Sequence, residues 1–213
     1  AKEGDEAGRS RALEARAELA IDPTWKALFY VELAQLAADG GDGARAYELL
    51  DAAGALDGHA RFLTRKVLET IAARQDNAEE VARALEGQAE LIADALADAE
   101  QGDATGVPRG MRTAAYAADA FLRASELRAR GGDADAAATL LDRAVQALPT
   151  SSLLARAKIV ALEKAGRAME AAELAKHPLD GGASGPGAAA LWLRIAESSA
   201  ATGDRDAALL ALG

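Results

Sequence analysis

With 213 residues, a formal charge of -10 and only 4% aromatic residues, the chain could make one or two domains, but it suits thin, closely approaching helices better than one thick core. An isoelectric point near 4.8 disfavours nucleic acid and anionic membranes as partners, because both would repel the mean field of the chain. The absence of cysteine removes a disulfide framework, a thiol nucleophile and any Cys-based metal site, and is compatible with cytoplasm or periplasm.

No apolar run approaches the roughly 20 residues that a membrane span needs, and the opening AKEGDEAGRS lacks a signal-peptide hydrophobic region. A chain without membrane insertion is expected, in the cytoplasm ahead of the periplasm. The missing initiator Met suggests an excised fragment or a processed chain. Ser10 to Ile21 reads as a lone helix, closed by Asp22-Pro23. Thr24 to Asp39 forms a helix with Trp25, Phe29, Leu33 and Leu36 on one side, ended by Gly40-Gly41-Asp42. Ala44 to Leu56 is its partner, with Ala46, Leu49, Leu50 and Ala53 inward. A lengthened helix is predicted from Ala78 to Glu100, then a loop GDATGVPRG, then another lengthened helix beginning near Met111.

Phe121 to Ser152 reads as one complete helix-turn-helix unit. Phe121, Ala124, Ser125 and Arg128 fall on a 3.6-residue rhythm, and Gly131-Gly132 stops the helix where a left-handed residue is needed. Asp133 starts the next helix. Ala137, Leu140, Leu141, Ala144 and Leu148 form its apolar face, and Pro149 closes the unit because it cannot continue a helix. His177 to Gly187 is a Gly/Pro-rich loop. Its Gly182, Gly185 and Gly187 do not make the dinucleotide fingerprint, and no strand precedes them. Trp192, Ile195, Ala196, Gly203-Asp204 and Ala208 begin a last unit that runs to Leu212-Gly213.

The turns recur. Gly41-Asp42 is followed 34 residues later by Gln75-Asp76, and Gly132-Asp133 is followed 34 later by Gly166-Arg167 and then 37 later by Gly203-Asp204. Ala46, Ala137, Ala171 and Ala208 hold one place in four units, with Glu80 in that place in the other. Between Asp76 and Gly132 stand 23 residues beyond one repeat, where a wider or kinked joint is expected.

Phe121, Ala124, Ser125 and Arg128, then Ala137, Leu141, Ala144 and Pro149, together with this phased recurrence, resemble the tetratricopeptide repeat. The resemblance implies an all-α, right-handed solenoid of antiparallel helix pairs. Residues 1–23 would be a helix of a preceding partial repeat, and 24–100 two repeats, the second degenerate. Residues 101–110 would be a loop, 111–180 two repeats, 181–187 a Gly/Pro loop and 188–213 a truncated terminal repeat. The family resemblance further implies that successive first helices line a concave groove holding a peptide or a partner helix.

Carried over to this chain, the groove-lining places are Val31, Glu32 and Gln35; Arg65, Lys66 and Glu69; Leu122, Arg123 and Glu126; Arg156 and Val160; and Leu193, Arg194 and Glu197. Basic residues in four successive units suggest a positive strip for an acidic or C-terminal-carboxylate peptide. The competing reading is that they pair within the chain with Glu69, Glu126 and Glu197. Chaperone-binding relatives grip a terminal carboxylate with Lys and Asn, but the matching asparagine places hold Gln35, Glu69, Glu126, Val160 and Glu197, so a chaperone-tail receptor is not expected.

Glu86, Glu90, Asp94 and Asp98 form an acidic ladder with four-residue steps. Such neighbours cost about 0.2–0.5 kcal/mol per pair, so the helix must be held by its other face, Val81, Leu85, Ala89, Ile92 and Leu96. The ladder reads as a solvated face, or as a docking strip for a basic partner or a second copy of the chain. His59 and His177 have no metal-ligand cluster beside them, Ser151-Ser152 reads as a helix start, and Ser198-Ser199 lacks a nucleophile context. No catalytic residue, cofactor or metal is therefore expected. The function expected is protein interaction without catalysis. The alternatives are a regulatory module controlling an attached effector, a self-assembling part pairing through its apolar ends, and an RNA-reading helical repeat, the last opposed by the acidic total.

Overall fold

A computed structural model of the chain describes residues 2–97, 106–167, 169–174, 192–193, 195–197, 199–200, 203 and 205–212. Every regular element among them is helical. Contacts divide the chain into a first unit, Ala1–Gly131, and a second, Gly132–Gly213, so the helix-turn-helix stretch Phe121 to Ser152 is shared between the two.

The first unit contains α1 (Lys2–Leu19), α2 (Pro23–Asp39), α3 (Gly43–Leu56), α4 (Arg61–Arg74), α5 (Ala78–Ala97) and α6 (Ala114–Arg130). Each packs on the next, and α2 also meets α4. The contact of α2 with α4 brings two first helices together, as stacked helix pairs require. The core of α1 to α4 is built on fully buried Ala27, Ala34, Ala46 and Ala53, with Leu50, Leu68 and Ile71 around them. Methyl-sized side chains let the backbones approach, while each buried Leu or Ile contributes about 1.5–3 kcal/mol. In the second unit, α7 (Ala134–Ala147) packs on α8 (Ser152–Lys164). Ala138, Ile159, Leu162, Ala171, Ile195 and Ala196 share a core there, and the helix Arg205–Leu212 follows.

Most helix starts carry a side-chain cap, while α4 follows the 3-10 turn Gly58–Ala60 without one. Thr24 N donates to Asp22 Oδ1 at 2.8 Å, Arg45 N to Asp42 at 3.0 Å, Glu80 N to Asn77 at 3.2 Å and Ala136 N to Asp133 at 2.8 Å. Leu154 N likewise donates to Ser151 Oγ at 3.4 Å, the helix start read from Ser151-Ser152. Such caps contribute about 1 kcal/mol each. Asp22-Pro23 therefore opens α2 and does not close the preceding helix, because a proline at the first helical position gives up an N–H that has no partner there anyway. Helix α1 is correspondingly longer at its beginning than Ser10 and ends at Leu19.

The inter-helix turns share one geometry. Gly41, Asp76, Gly132, Gly166 and Gly203 all have positive φ, between 53° and 90°. In three of these turns the next residue bonds five positions back: Asp42 N to Ala37 O at 2.8 Å, Asn77 N to Ala72 O at 3.0 Å, and Arg167 N to Leu162 O at 2.8 Å. This closure satisfies carbonyls that the helix end would otherwise leave open.

It also corrects the register. The residue equivalent to Gly41 is Asp76, 35 residues on, and not Gln75. Consequently Val81, and not Glu80, stands where Ala46, Ala137, Ala171 and Ala208 stand.

The insertion differs from expectation in detail. Helix α5 is described to Ala97; of the proposed apolar face Leu85, Ala89 and Ile92 are buried, Val81 is half-buried and Leu96 exposed, and Ala82, Ala84, Gln88, Ala93 and Ala95 widen the buried side. The next helix begins at Ala114, just past Met111. Arg109–Met111 is a 3-10 turn, and Thr113 caps α6 through Tyr116 N at 3.3 Å. Val107 is buried, and Arg112 Nε donates to its carbonyl at 2.9 Å. Gly106, with φ 70°, lies against the carbonyl of His59, where a Cβ would collide. The end of the insertion is thereby laid on the 3-10 turn Gly58–Ala60. No described helix is long and apolar enough to cross a membrane.

Candidate functional site

Counting back from each left-handed turn residue puts equivalent side chains in register. Ten, nine and six residues ahead stand Val31, Glu32 and Gln35 on α2; Lys66, Val67 and Thr70 on α4; and Leu122, Arg123 and Glu126 on α6. The α4 set is one residue later than the sequence reading placed it. One residue is about 100° of helix rotation, and the side chains behave accordingly.

Arg65 does not join Lys66. It turns to α3, where its Nη1 lies 3.3 Å from Asp51 Oδ1. Val31, also expected in the groove, is buried in the core. Glu32 is exposed, 3.9 Å from Arg9 of α1, and Gln35 is exposed.

Glu69 is the centre of the site. Its register place, seven residues ahead of the turn, holds Ala34, Ser125, Ile159 and Ala196 in the other units, all buried. Its side chain is only 14% exposed. The facing place on the second helix holds Ala53 and Ala144, but on α5 it holds Gln88, which is 5% exposed. A carboxylate and an amide thus replace two small residues at the closest approach of a helix pair.

Both are satisfied. Glu69 accepts from Lys66 Nζ at 2.7 Å, from Gln88 Nε2 at 2.9 Å and from Arg123 Nη2 at 3.0 Å. Gln88 Nε2 also lies 3.4 Å from the carbonyl of Arg65. Burial pushes the Glu69 carboxyl up, but the hydrogen bonds from Lys66 and Gln88, the charge of Lys66 and the hydrogen bond from Arg123 outweigh it and hold it below its ordinary value.

The cations of this face are therefore already engaged. Lys66 and Arg123 share Glu69, Arg123 also stands 3.9 Å from Asp119, and Arg130 lies 3.4 Å from Glu126. Within the first unit Lys66 and Arg123 follow the competing reading, pairing within the chain on Glu69, and not that of a positive strip. In the second unit Arg156 is exposed and joins no ion pair among the described residues, while Val160 is half-buried. Leu193 and Glu197 are exposed. Arg194 lies outside the described residues.

The acidic ladder is not one solvated strip. Glu86 is turned inward and paired with Arg128 of α6, with 14% of its side chain exposed. Glu90 and Asp94 are exposed and line a cleft between α3, α4 and α5. Asp98 lies outside the described residues, as do His177 and the Gly182 to Gly187 loop. Four-residue steps advance about 40° each around a helix, so the ladder winds away from α6 as it proceeds. The pairing Arg128 to Glu86 spans 42 residues, and no local pattern in the sequence signals it.

The stacked helix pairs, the left-handed turn residues and the buried small residues give each unit the all-α helix-pair architecture that the tetratricopeptide resemblance implies. No family model matches it, and no curated protein matches it. Among solved structures it is similar to YrrB, described as a TPR protein with an unusual peptide-binding site. The two are 17% identical, with 95% of this chain and 90% of that one covered, at a TM-score of 0.45.

Proposed function

We propose that this chain is a protein-interaction scaffold without catalytic chemistry, and that the first unit binds a peptide or partner segment along the face shared by α2, α4 and α6. The observation that supports this reading is the continuity of that face. Helix α2 meets α4, and Arg123 of α6 reaches Glu69 of α4 across 54 residues of sequence. On these three helices Gln35, Thr70 and Arg123 are exposed, and Val67 and Leu122 are half-buried.

Because Lys66 and Arg123 are already paired, charge is secondary to apolar and backbone contact in the affinity. Exposed ion pairs contribute about 0.2–1 kcal/mol each, less than a single well-buried side chain of a partner.

The test is selection of binding peptides against the folded chain, followed by Thr70→Trp and Gln35→Trp, which crowd the face without touching the ion pairs. At least about a tenfold loss of affinity in both variants, with unchanged circular dichroism, is expected for a contact this central. Affinity unchanged in both would place binding elsewhere.

A further inference from the structure

We propose a second binding site on the side of the first unit where the second helices α3 and α5 flank α4: the cleft there takes an aromatic side chain of a partner segment. This site is separate from the first-helix face and stands whether or not that face binds a peptide.

The cleft encloses about 370 Å³, with Leu50, Ala55 and Leu91 among its apolar walls and Thr64, Arg65 and Gly87 beside them. That volume suits a single small ligand group.

The repeat shows what belongs in this place. Eleven residues ahead of the turn, α2 and α6 carry Tyr30 and Phe121 and Trp192 stands ahead of Gly203, while α8 carries Ala155. Phe121 is 1% exposed, so the position holds a ring within the packing of its own unit. Helix α4 alone among α2, α4 and α6 has no ring there; it has Arg65.

Two features prepare the place for a ring from outside. Asp51 lies 3.3 Å from Arg65 and also accepts two hydrogen bonds from Arg83 at 3.0 Å each, so the guanidinium of Arg65 is anchored to one wall. The stem of Arg65 crosses Gly87, where a Cβ would stand 2.8 Å from its Nε. A glycine inside a helix is disfavoured by propensity, and here it keeps the α5 wall flat and leaves room beside the arginine. A ring entering between Leu50 and Leu91 meets a fixed planar cation, the arrangement that attracts the face of an aromatic system.

The experiment is a nuclear magnetic resonance titration of the isotope-labelled chain with N-acetyltryptophanamide, reading the amides of Gly54 and Gly87. Saturable shifts at both glycines are expected, with N-acetylleucinamide at least about tenfold weaker because it offers no ring to the guanidinium. Arg65→Phe supplies the ring from within and is expected to abolish the shifts while the circular dichroism stays helical. Gly87→Leu, which fills the same wall from α5, is expected to do the same and carries the test if Arg65→Phe does not fold. No saturable shift in the parent, equal binding of the leucine probe, or shifts retained in the folded variants would overturn the proposal.

Discussion

Asp76 is the one described residue other than glycine with positive φ, at 53°. A left-handed conformation costs an L-residue roughly 1–2 kcal/mol, less for Asp, whose short side chain tolerates it. Asp76→Gly is therefore expected to raise stability by up to about 1 kcal/mol, read as a higher urea midpoint with unchanged slope. Glu69 and Gln88 make a second residue-scale case. Removing Glu69 alone leaves the buried Gln88 amide only its longer bond to the Arg65 carbonyl and takes from Lys66 and Arg123 their shared partner, which costs about 1–3 kcal/mol. Glu69→Ala should destabilise the chain, and Glu69→Ala with Gln88→Ala should recover much of the loss by recreating the pairing of Ala34 with Ala53. A double-mutant cycle measures that recovery. The sign of the pH effect follows from the Glu69 carboxyl lying below its ordinary value of 4.5. Its stabilisation is fully present above the unfolded carboxylate value and is lost as pH falls through the lower, folded one. The stability gap between the parent and Glu69→Gln should be constant from neutrality to about pH 5 and shrink in more acid solution.

At the scale of elements, the joint between α5 and α6 is the part of the first unit that the repeat alone does not explain. Arg128 reaches Glu86, with side chains 30% and 14% exposed, and Arg123 reaches Glu69. These two links and the docked segment at Gly106 and Val107 set α6 against α4 and α5. Glu86→Ala leaves Arg128 without that partner in a mostly buried position, and a loss of about 1–3 kcal/mol in urea denaturation is expected. The turns were legible in the sequence where Gly-Gly or Gly-Asp announces a left-handed residue. The α4–α5 turn was misread by one residue because Gln75-Asp76-Asn77 carries no glycine. That single step moved Arg65 onto the proposed face and hid the unusual place of Glu69. Long-range pairs such as Arg128 with Glu86 were not legible, since nothing local distinguishes a paired carboxylate from a solvated one in a ladder of four.

At the scale of the whole molecule, contacts separate the chain between Gly131 and Gly132. In repeat proteins stability is close to a sum of unit and neighbour terms. A fragment of residues 1–131 is accordingly expected to remain helical and to unfold in one cooperative step; a fragment that is unfolded by circular dichroism would show that residues 132–213 are needed to hold it. The scaffold reading rests on the same unit, because the face of α2, α4 and α6 lies within it. The most direct measurement is chemical-shift mapping of a selected peptide on the labelled chain. The account predicts shifts concentrated at residues 32–35, 66–70 and 122–126, the turns of α2, α4 and α6 that share the face. Shifts confined to α3 and α5, with those three stretches unmoved, would contradict it.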